Sequence, residues 1–152
     1  MTPLEDLQSA CMLCTPQLAD DHFHRVRLWE DDLWRLSALL QGPIAGFAHL
    51  EPRRHIPYIT DLDGAEALTL GPVLAAATTS LRESAGAEKT YVYVFGDHVP
   101  HLHFNLAPHT AGDALVGGPG LLAAGAVDAQ LSEHEQVAQI ARQRLAGFRL
   151  AG

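Results

Sequence analysis

Positive charge is scarce in this sequence. The 152 residues include ten Lys and Arg against 18 Asp and Glu, which gives a formal net charge of −8. Lys89 is the only lysine. Nonspecific binding to nucleic acids requires a basic surface that neutralises phosphates. The composition therefore excludes a nucleic-acid polymer as the expected partner, whereas a small anionic ligand in a local pocket stays compatible with it.

Long apolar segments are also missing. No run approaches the ~20 apolar residues that a helix needs to cross a bilayer. Residues 1–6 contain no basic stretch leading into an apolar one, so no secretory signal peptide is expected there. Hydrophobic residues make up 47% of the chain and charged residues 18%, as in ordinary globular domains. We expect a cytoplasmic protein without membrane association, folded as a single domain over residues 1–152.

Cysteine is limited to two residues, Cys11 and Cys14, in a Cys-x-x-Cys arrangement. In a reducing compartment this arrangement indicates a redox motif or a metal site rather than a structural disulfide. The redox interpretation expects a thioredoxin-like βαβ unit, which the flanking residues do not show. Two thiolates on a tight turn can instead share one zinc ion with two imidazoles, and the chain contains nine histidines. Two small buried thiols are the remaining alternative.

Several segments have strand patterns. Residues 28–40 fit either a strand–turn–strand or a short amphipathic stretch. Gly46–Pro52 is predicted as a strand that ends at a proline, which cannot donate to a ladder. Thr90–Phe95 is rich in β-branched and aromatic residues and is the clearest strand. His101–Leu106 alternates polar and apolar residues, which is typical of a strand with two different faces.

Two helices are predicted around these strands. Asp63–Glu66 and Ser132–Glu135 have the pattern of capping boxes, and helical periodicity follows each of them. Pro72 either kinks the first helix or begins a second one, and Gly86 ends it. Residues 110–131 are rich in Gly and Ala and are predicted to be a connecting loop. Strands in the middle with helices on either side predict an α+β class with an antiparallel sheet.

The alternation in His101–Leu106 places His101, His103 and Asn105 on one face of the predicted strand. Histidines two residues apart on a strand lie about 6.6 Å from each other. One can turn toward a metal while the other faces a cleft, or both can bind one ion. A polar strand that faces solvent is the alternative.

These pieces together resemble the histidine-triad (HIT) family. The family has a strand of the pattern His-apolar-His-apolar-His-apolar-apolar, preceded by a Pro-x-x-His segment, a helix and a Tyr/Val-rich strand. The matching segments occur here in the same order: Gly46–His55, the helix from about Asp63, Tyr91–Phe95 and His101–Pro108. The resemblance covers about residues 11–109, and residues 110–152 are expected to form a loop plus a C-terminal helix. It implies a five-stranded antiparallel sheet flanked by helices, and a homodimer.

The zinc-binding branch of the family implies a ligand set for this chain. In that branch a Cys-x-x-Cys, the Pro-x-x-His histidine and the first triad histidine bind zinc. The corresponding residues are Cys11, Cys14, His55 and His101. Four protein ligands leave no open coordination position, so the resemblance implies one structural zinc per chain.

The resemblance also implies a hydrolase or nucleotidyltransferase that acts on a nucleotide or another phosphate ester. The second triad histidine, His103 here, is the family's nucleophile and forms a nucleotidyl-imidazole. Asn105 occupies the third triad position, where it can donate a hydrogen bond but cannot supply a proton. His98 stands where a phosphate-contacting Ser or Thr is frequent, and it is either a substitute acid near His103 or simply a turn residue. His109 stands where arginine is frequent and is expected to contact substrate.

The replacement at position 105 keeps two other hypotheses open. One is a divergent zinc enzyme of specialised metabolism that acts on a non-nucleotide substrate. The other is a nucleotide-binding protein without catalytic activity. Of the remaining histidines, His49 is expected to be a sheet residue, and His22, His24 and His134 are expected to be solvated.

Overall fold

A computed structural model describes residues 11–116 and 121–150. The expectation about a leader in residues 1–6 and the glycine-rich part of the predicted loop at residues 117–120 lie outside these ranges. The described residues form an antiparallel sheet of five strands in the spatial order β1-β2-β3-β5-β4, together with three α-helices. The elements are α1 (Pro16–Phe23), β1 (Arg25–Glu30), β2 (Trp34–Leu39), β3 (Ala48–Pro52), α2 (Gly64–Ala85), β4 (Lys89–Tyr93), β5 (Phe104–His109) and α3 (Leu131–Leu145). The predicted α+β class is confirmed.

Residues 28–40 form a strand–turn–strand, which decides between the two interpretations of that segment. The Asp31 carboxylate accepts hydrogen bonds from the backbone N–H groups of Leu33 and Trp34, at 2.8 and 2.7 Å, and so closes the turn between β1 and β2. β3 ends at Pro52, as predicted from the missing N–H of proline. β4 ends at Tyr93, two residues earlier than expected.

The last strand begins later than the sequence pattern predicts. β5 starts at Phe104, so His101 and His103 precede it. The backbone N–H of Leu102 donates to the carbonyl oxygen of Ile56 at 2.7 Å, outside the sheet ladder. Alternation of side chains nevertheless persists through this segment, because Leu102, Phe104 and Leu106 are all buried in the main core.

Both predicted helices exist, but neither capping box does. α2 is a single helix that runs through Pro72 and ends at Gly86, which adopts φ +63°. Its predicted capping carboxylates, Asp63 and Glu66, accept hydrogen bonds from Arg54 instead. α3 begins at Leu131, so Ser132 lies inside the helix and cannot cap it. None of the described helices is both long and apolar enough to cross a membrane.

The two faces of the sheet differ in character. One face packs against α2 and α3 and forms the core, with Trp34, Leu36, Leu50 and Leu106 almost completely buried. The opposite face carries charged and polar side chains: Arg25, Arg35, Ser37, His49, Glu51 and Asn105. His134, expected to be solvated, is buried on α3, and its Nε2–H donates to the carbonyl oxygen of Gly42 at 3.0 Å. The polar face therefore carries the side chains that could form a functional site.

Candidate metal centre and cleft

Cys11, Cys14, His55 and His101 converge from three separate parts of the chain. The cysteines lie on a turn closed by the Cys14 N–H to Cys11 carbonyl hydrogen bond of 3.2 Å, just before α1. His55 follows the end of β3, and His101 precedes β5. One ligand atom from each side chain lies within 4.8 Å of all the others. A single metal ion can therefore contact all four residues, as the sequence predicted.

The ring nitrogens of His101 have distinct partners. Nε2–H donates to the carbonyl oxygen of Pro52 at 2.8 Å, which leaves Nδ1 as the free acceptor. Nδ1 lies 3.4 Å from the Cys11 sulfur and 3.5 Å from the Cys14 sulfur. Burial lowers the pKa of His101 to about 4. The imidazole is therefore neutral at pH 7, which is the form that binds metals, and a backbone acceptor on the other nitrogen is the usual support for such a ligand.

The environment of the thiols disfavours their ionised form. Burial and the neighbouring Cys11 raise the pKa of Cys14 to about 12. The Cys14 sulfur lies 3.1 Å from Nδ1 of His55. Binding of a divalent cation would favour the thiolates that burial disfavours. The pair precedes a helix and an antiparallel hairpin rather than a βαβ unit, so the local fold favours the metal interpretation over the redox one.

A cleft of about 410 Å³ opens on the polar face of the sheet. Its walls come from the cysteine turn, α1, β2, β3, β4 and the segment between β4 and β5. The lining residues are Leu13, Phe23, Leu39, Phe47, His49, Tyr93, Phe95, Gly96, Asp97, His98, Val99, His103 and Asn105. Among these described residues there is no Lys or Arg, and most of the lining is apolar.

His103 presents one ring nitrogen to this cleft. Its Nδ1–H donates to the backbone carbonyl oxygen of His101 at 2.8 Å. Because a carbonyl oxygen only accepts, the proton lies on Nδ1, and Nε2 carries the lone pair. The side chain is half-buried. His101 therefore contributes its side chain to the metal centre and its carbonyl to the orientation of His103.

Asn105 and His98 join His103 at the cleft, whereas His109 does not. The Nδ2 group of Asn105 donates to the carbonyl oxygen of Tyr93 at 3.2 Å, which leaves its other N–H and its oxygen free of that bond. His98 is exposed at the cleft entrance. His109 lies four residues beyond Asn105 on β5, with Nδ1 3.0 Å from the Asp113 carboxylate. The expected substrate contact of His109 thus lies outside the cleft that holds the other three.

His49 belongs to this cleft, which the sequence pattern does not predict. His49 lies opposite Asn105 in the β3–β5 register, and its ring centroid is 5.4 Å from that of His103. Arg25 donates from Nη1 to Nδ1 of His49 at 3.4 Å, so the His49 proton lies on Nε2. Burial, with His103 and Arg25 nearby, lowers the pKa of His49 to about 3. The only signal in the sequence was the alternation of His49 and Glu51 with Ala48 and Leu50.

A buried ion cluster on the polar face of the sheet contacts both the candidate metal centre and the cleft. The Glu51 carboxylate lies 2.5 Å from Arg25 and 3.5 Å from Arg35, and the Arg25 and Glu51 side chains are fully buried. Arg35 also donates to the carbonyl oxygen of Leu13, between the two cysteines, at 2.7 Å. The cluster thereby connects the sheet to the cysteine turn on one side and to His49 on the other.

Comparison with known structures gives the class of fold. A zinc-bound histidine-triad protein from Mycobacterium smegmatis superposes with a TM-score of 0.67 at 18% identity, covering 91% of this chain and 95% of that one. A hypothetical histidine-triad nucleotide-binding protein from Sulfolobus tokodaii gives 0.68 at 15% identity, with 90% and 92% covered. A histidine-triad protein from Bradyrhizobium japonicum gives 0.66 at 21%, with 84% and 93% covered. No family model matches the sequence, and no curated protein matches it. The chain has the histidine-triad fold.

Proposed function

We propose that this protein is a zinc-containing hydrolase or nucleotidyltransferase that acts through a covalent bond between His103 and a nucleotidyl group. The observation that carries the proposal is that His103 lines the cleft while its Nδ1–H is held by the His101 carbonyl, which leaves the lone pair on Nε2. A neutral imidazole is an effective nucleophile near pH 7. The similarly folded Sulfolobus protein is described as nucleotide-binding, which supports a nucleotide as the substrate.

The reaction would proceed in two displacements at phosphorus. In the first, Nε2 of His103 attacks the α-phosphorus of a nucleotide ester or phosphoramidate. The bond from phosphorus to the leaving oxygen or nitrogen breaks, and the leaving group departs with the electron pair and takes up a proton. In the second, water attacks phosphorus and loses a proton while the nitrogen–phosphorus bond breaks. The products are a nucleoside monophosphate and free His103, and an acceptor other than water would give a transferase.

Proton transfer to the leaving group needs a residue other than Asn105, because an amide has no proton to give in this pH range. Asp97 and His98 are both exposed at the cleft entrance, and we assign this role to His98, because imidazole ordinarily titrates closest to neutral pH. Asn105 would instead donate its free N–H to a phosphoryl oxygen. His49 would offer a neutral Nε2–H from the opposite strand, since Arg25 occupies its other nitrogen. These neutral donors would stabilise the developing charge in a cleft without Lys or Arg among its described lining.

Zinc fits the metal centre by donor chemistry and by spacing. Bond lengths of about 2.3 Å to sulfur and 2.0–2.1 Å to nitrogen place tetrahedral ligand atoms roughly 3.3–3.8 Å apart. The nitrogen–sulfur distances here are 3.1, 3.4 and 3.5 Å. With four protein ligands, bound zinc would supply structural cross-linking rather than Lewis acidity. Holding His101 in place would also hold the carbonyl that orients His103.

A homodimer in the cytoplasm completes the proposal. β4 lies at one edge of the sheet, next to β5 only. Its outer backbone groups are free of ladder partners within the described part of the chain, and such an edge can pair with a second copy. The net charge of −8 supports a small-molecule substrate over a nucleic-acid polymer.

Intact-mass measurement tests the covalent step. The wild-type protein and the His103→Ala variant are mixed with adenosine phosphoramidate and denatured at alkaline pH, where phosphoramidate bonds of histidine survive. We expect a mass increase of one AMP group in the wild type and none in the variant. An adduct that persists in His103→Ala would overturn the assignment of the nucleophile.

The apolar cleft lining favours one second candidate, an enzyme of the same fold with a non-nucleotide substrate. A nucleotide carries phosphate charges, yet the described residues around the cleft include neither Lys nor Arg. Under this candidate, His103 would act on another phosphate ester or as a general base. Calorimetric titration with AMP distinguishes the two, because the nucleotide proposal expects saturable binding and the second candidate expects none.

A further inference from the structure

A second cavity lies beside the cleft on the same face of the sheet. Its volume is about 470 Å³, within the range of small-molecule sites. It shares Leu39, Phe47 and Tyr93 with the cleft. Its other lining residues are Gln41, Gly42, Pro43, Ile44, Ala107, Leu115, Leu122 and Asp128. The two cavities are therefore neighbours across a common wall of three side chains.

Strand register links the second cavity to the reactive group. Ala107 follows Asn105 by two residues on β5, so both side chains lie on the same face about 7 Å apart. Tyr93 pairs with Asn105 across the sheet and lines both cavities. A ligand that reaches past Asn105 from His103 would enter the space above Ala107. The two cavities are thus adjacent along one face of the sheet, and a substrate that extends from the cleft past Tyr93 would place its far end at the second cavity.

The far wall of the cavity is held in place by hydrogen bonds. The carbonyl oxygen of Gly42 accepts from the backbone N–H of Ala129 and from Nε2–H of His134, both at 3.0 Å. Leu115, which is buried, forms an antiparallel bridge with Leu122. These bonds join the loop after β5, the loop after β2 and α3. The cavity is consequently formed by the fold itself and needs no ligand to create it.

The chemistry of the lining selects an uncharged apolar ligand. Aliphatic and aromatic side chains dominate, and Asp128 is the one Asp, Glu, Lys, Arg or His among the described lining residues. An acidic residue without a cationic neighbour in the lining disfavours a phosphate or carboxylate. Leu122, which belongs to the lining, is 49% exposed, and this is unfavourable apolar exposure that a bound hydrocarbon would reduce.

We propose that this second cavity binds an apolar, hydrocarbon-rich part of the leaving group of the substrate. The inference rests on the proposed function, since it places the reacting phosphorus at His103. It assigns the substrate class as a phosphate ester or phosphoramidate whose leaving group carries an alkyl chain or a comparable apolar group. Ala107 forms the floor of that subsite, and Leu122 forms part of its rim.

Two adenosine phosphoramidates that differ only in the substituent on nitrogen, N-methyl and N-octyl, test the subsite. Each buried methylene contributes to binding, so we expect the octyl compound to bind at least tenfold more tightly. Kd is measured by calorimetry on His103→Ala, which cannot consume the ligands through the proposed step. Equal Kd values for the two compounds would overturn the subsite.

Rim variants locate the effect. In the His103→Ala background, Leu122→Asp should reduce the octyl-to-methyl affinity ratio to near one, because a carboxylate replaces an apolar contact. Leu121→Asp is the matched control: it places the same charge at the adjacent exposed leucine, outside the lining, and should retain the ratio. An unchanged ratio in Leu122→Asp contradicts the proposal. Failure of the His103 adduct test, by contrast, would reject the covalent chemistry and leave these affinity ratios interpretable.

Discussion

The metal centre and the cleft share one residue but are built in opposite ways. The candidate centre is the more buried of the two: Cys11 and His101 are buried, Cys14 and His55 are half-buried, and one ligand atom from each lies within 4.8 Å of the others. The cleft is open: His103 is half-buried and lines it, and among the described residues its hydrogen bond to the His101 carbonyl involves Nδ1 and not Nε2. His101 belongs to the first through its ring and to the second through its carbonyl. Changes at His101 and His103, only two positions apart, should therefore affect stability and reactivity separately.

Loss of a cysteine should have the largest effect. Cys11→Ser removes a thiolate ligand, and a structural metal contributes its binding free energy to folding, on the order of 10 kcal/mol in small zinc domains. We expect metal content to fall from about one ion per chain and the melting temperature to drop steeply. Elemental analysis with thermal unfolding measures both. Chelation of the wild type is the control and should reproduce the drop. A freshly purified wild type without metal contradicts the proposed centre.

His103→Ala should separate activity from stability. Removal of a nucleophile typically costs about a thousandfold or more in turnover, while the half-buried ring supports little packing. We expect the loss in kcat on adenosine phosphoramidate to be accompanied by a small change in melting temperature. His98→Ala is the companion variant and should lower kcat less, with a change in the pH profile. Full turnover by His103→Ala, or collapse of its fold, would contradict the separation.

Removal of the Glu51 charge should show how much the buried ion cluster contributes to the free energy of unfolding. Glu51→Gln leaves Arg25 and Arg35 without their carboxylate in a fully buried position, which typically costs about 3–5 kcal/mol. Urea unfolding measures the loss. Glu83→Gln is the matched control, because it breaks an exposed pair with Arg144 and should cost at most about 1 kcal/mol. Equal losses of unfolding free energy in the two variants would show that the buried cluster stabilises the fold no more than an exposed ion pair does.

The grouping of the four candidate metal ligands could be predicted because its signal is local or ordered along the chain. Cys11 and Cys14 are three positions apart, and His55 and His101 occur in the family-like order of segments. The expected α+β class followed from the strong strand patterns around Thr90–Phe95 and Gly46–Pro52. Such signals can be recognised in a single sequence because they depend on spacing within a segment or on the order of segments along the chain, and not on contacts between distant residues.

The cleft was less predictable because strand register and loop contacts are not local. His49 reaches His103 only through the pairing of β3 with β5, and nothing near His49 in sequence reports that pairing. His109 was expected beside substrate, but its position four residues along β5 places it near Asp113. The capping box at Asp63–Glu66 does not form because Arg54, ten residues before α2, binds both carboxylates, and the one at Ser132–Glu135 does not form because α3 begins at Leu131.

The free energy of unfolding should fall in acid, and protonation of His49 in the unfolded chain should account for part of that fall. This effect is the smallest of those predicted here. The pKa of His49 is about 3 in the folded chain, against an ordinary value of 6.5, because of burial with His103 and Arg25 nearby. The unfolded chain therefore binds more protons between these two values, so this contribution is fully present above pH 6.5 and is lost as the pH falls toward 3. Between pH 7 and pH 5, His49 should account for about 2 kcal/mol of the loss in unfolding free energy.

His49→Gln, which cannot take up a proton, should flatten the profile of unfolding free energy against pH by that amount, whereas the exposed control His22→Gln should retain the wild-type slope. Urea unfolding at both pH values measures the difference, and identical slopes in His49→Gln and wild type would show that His49 does not carry the acid sensitivity of the cleft.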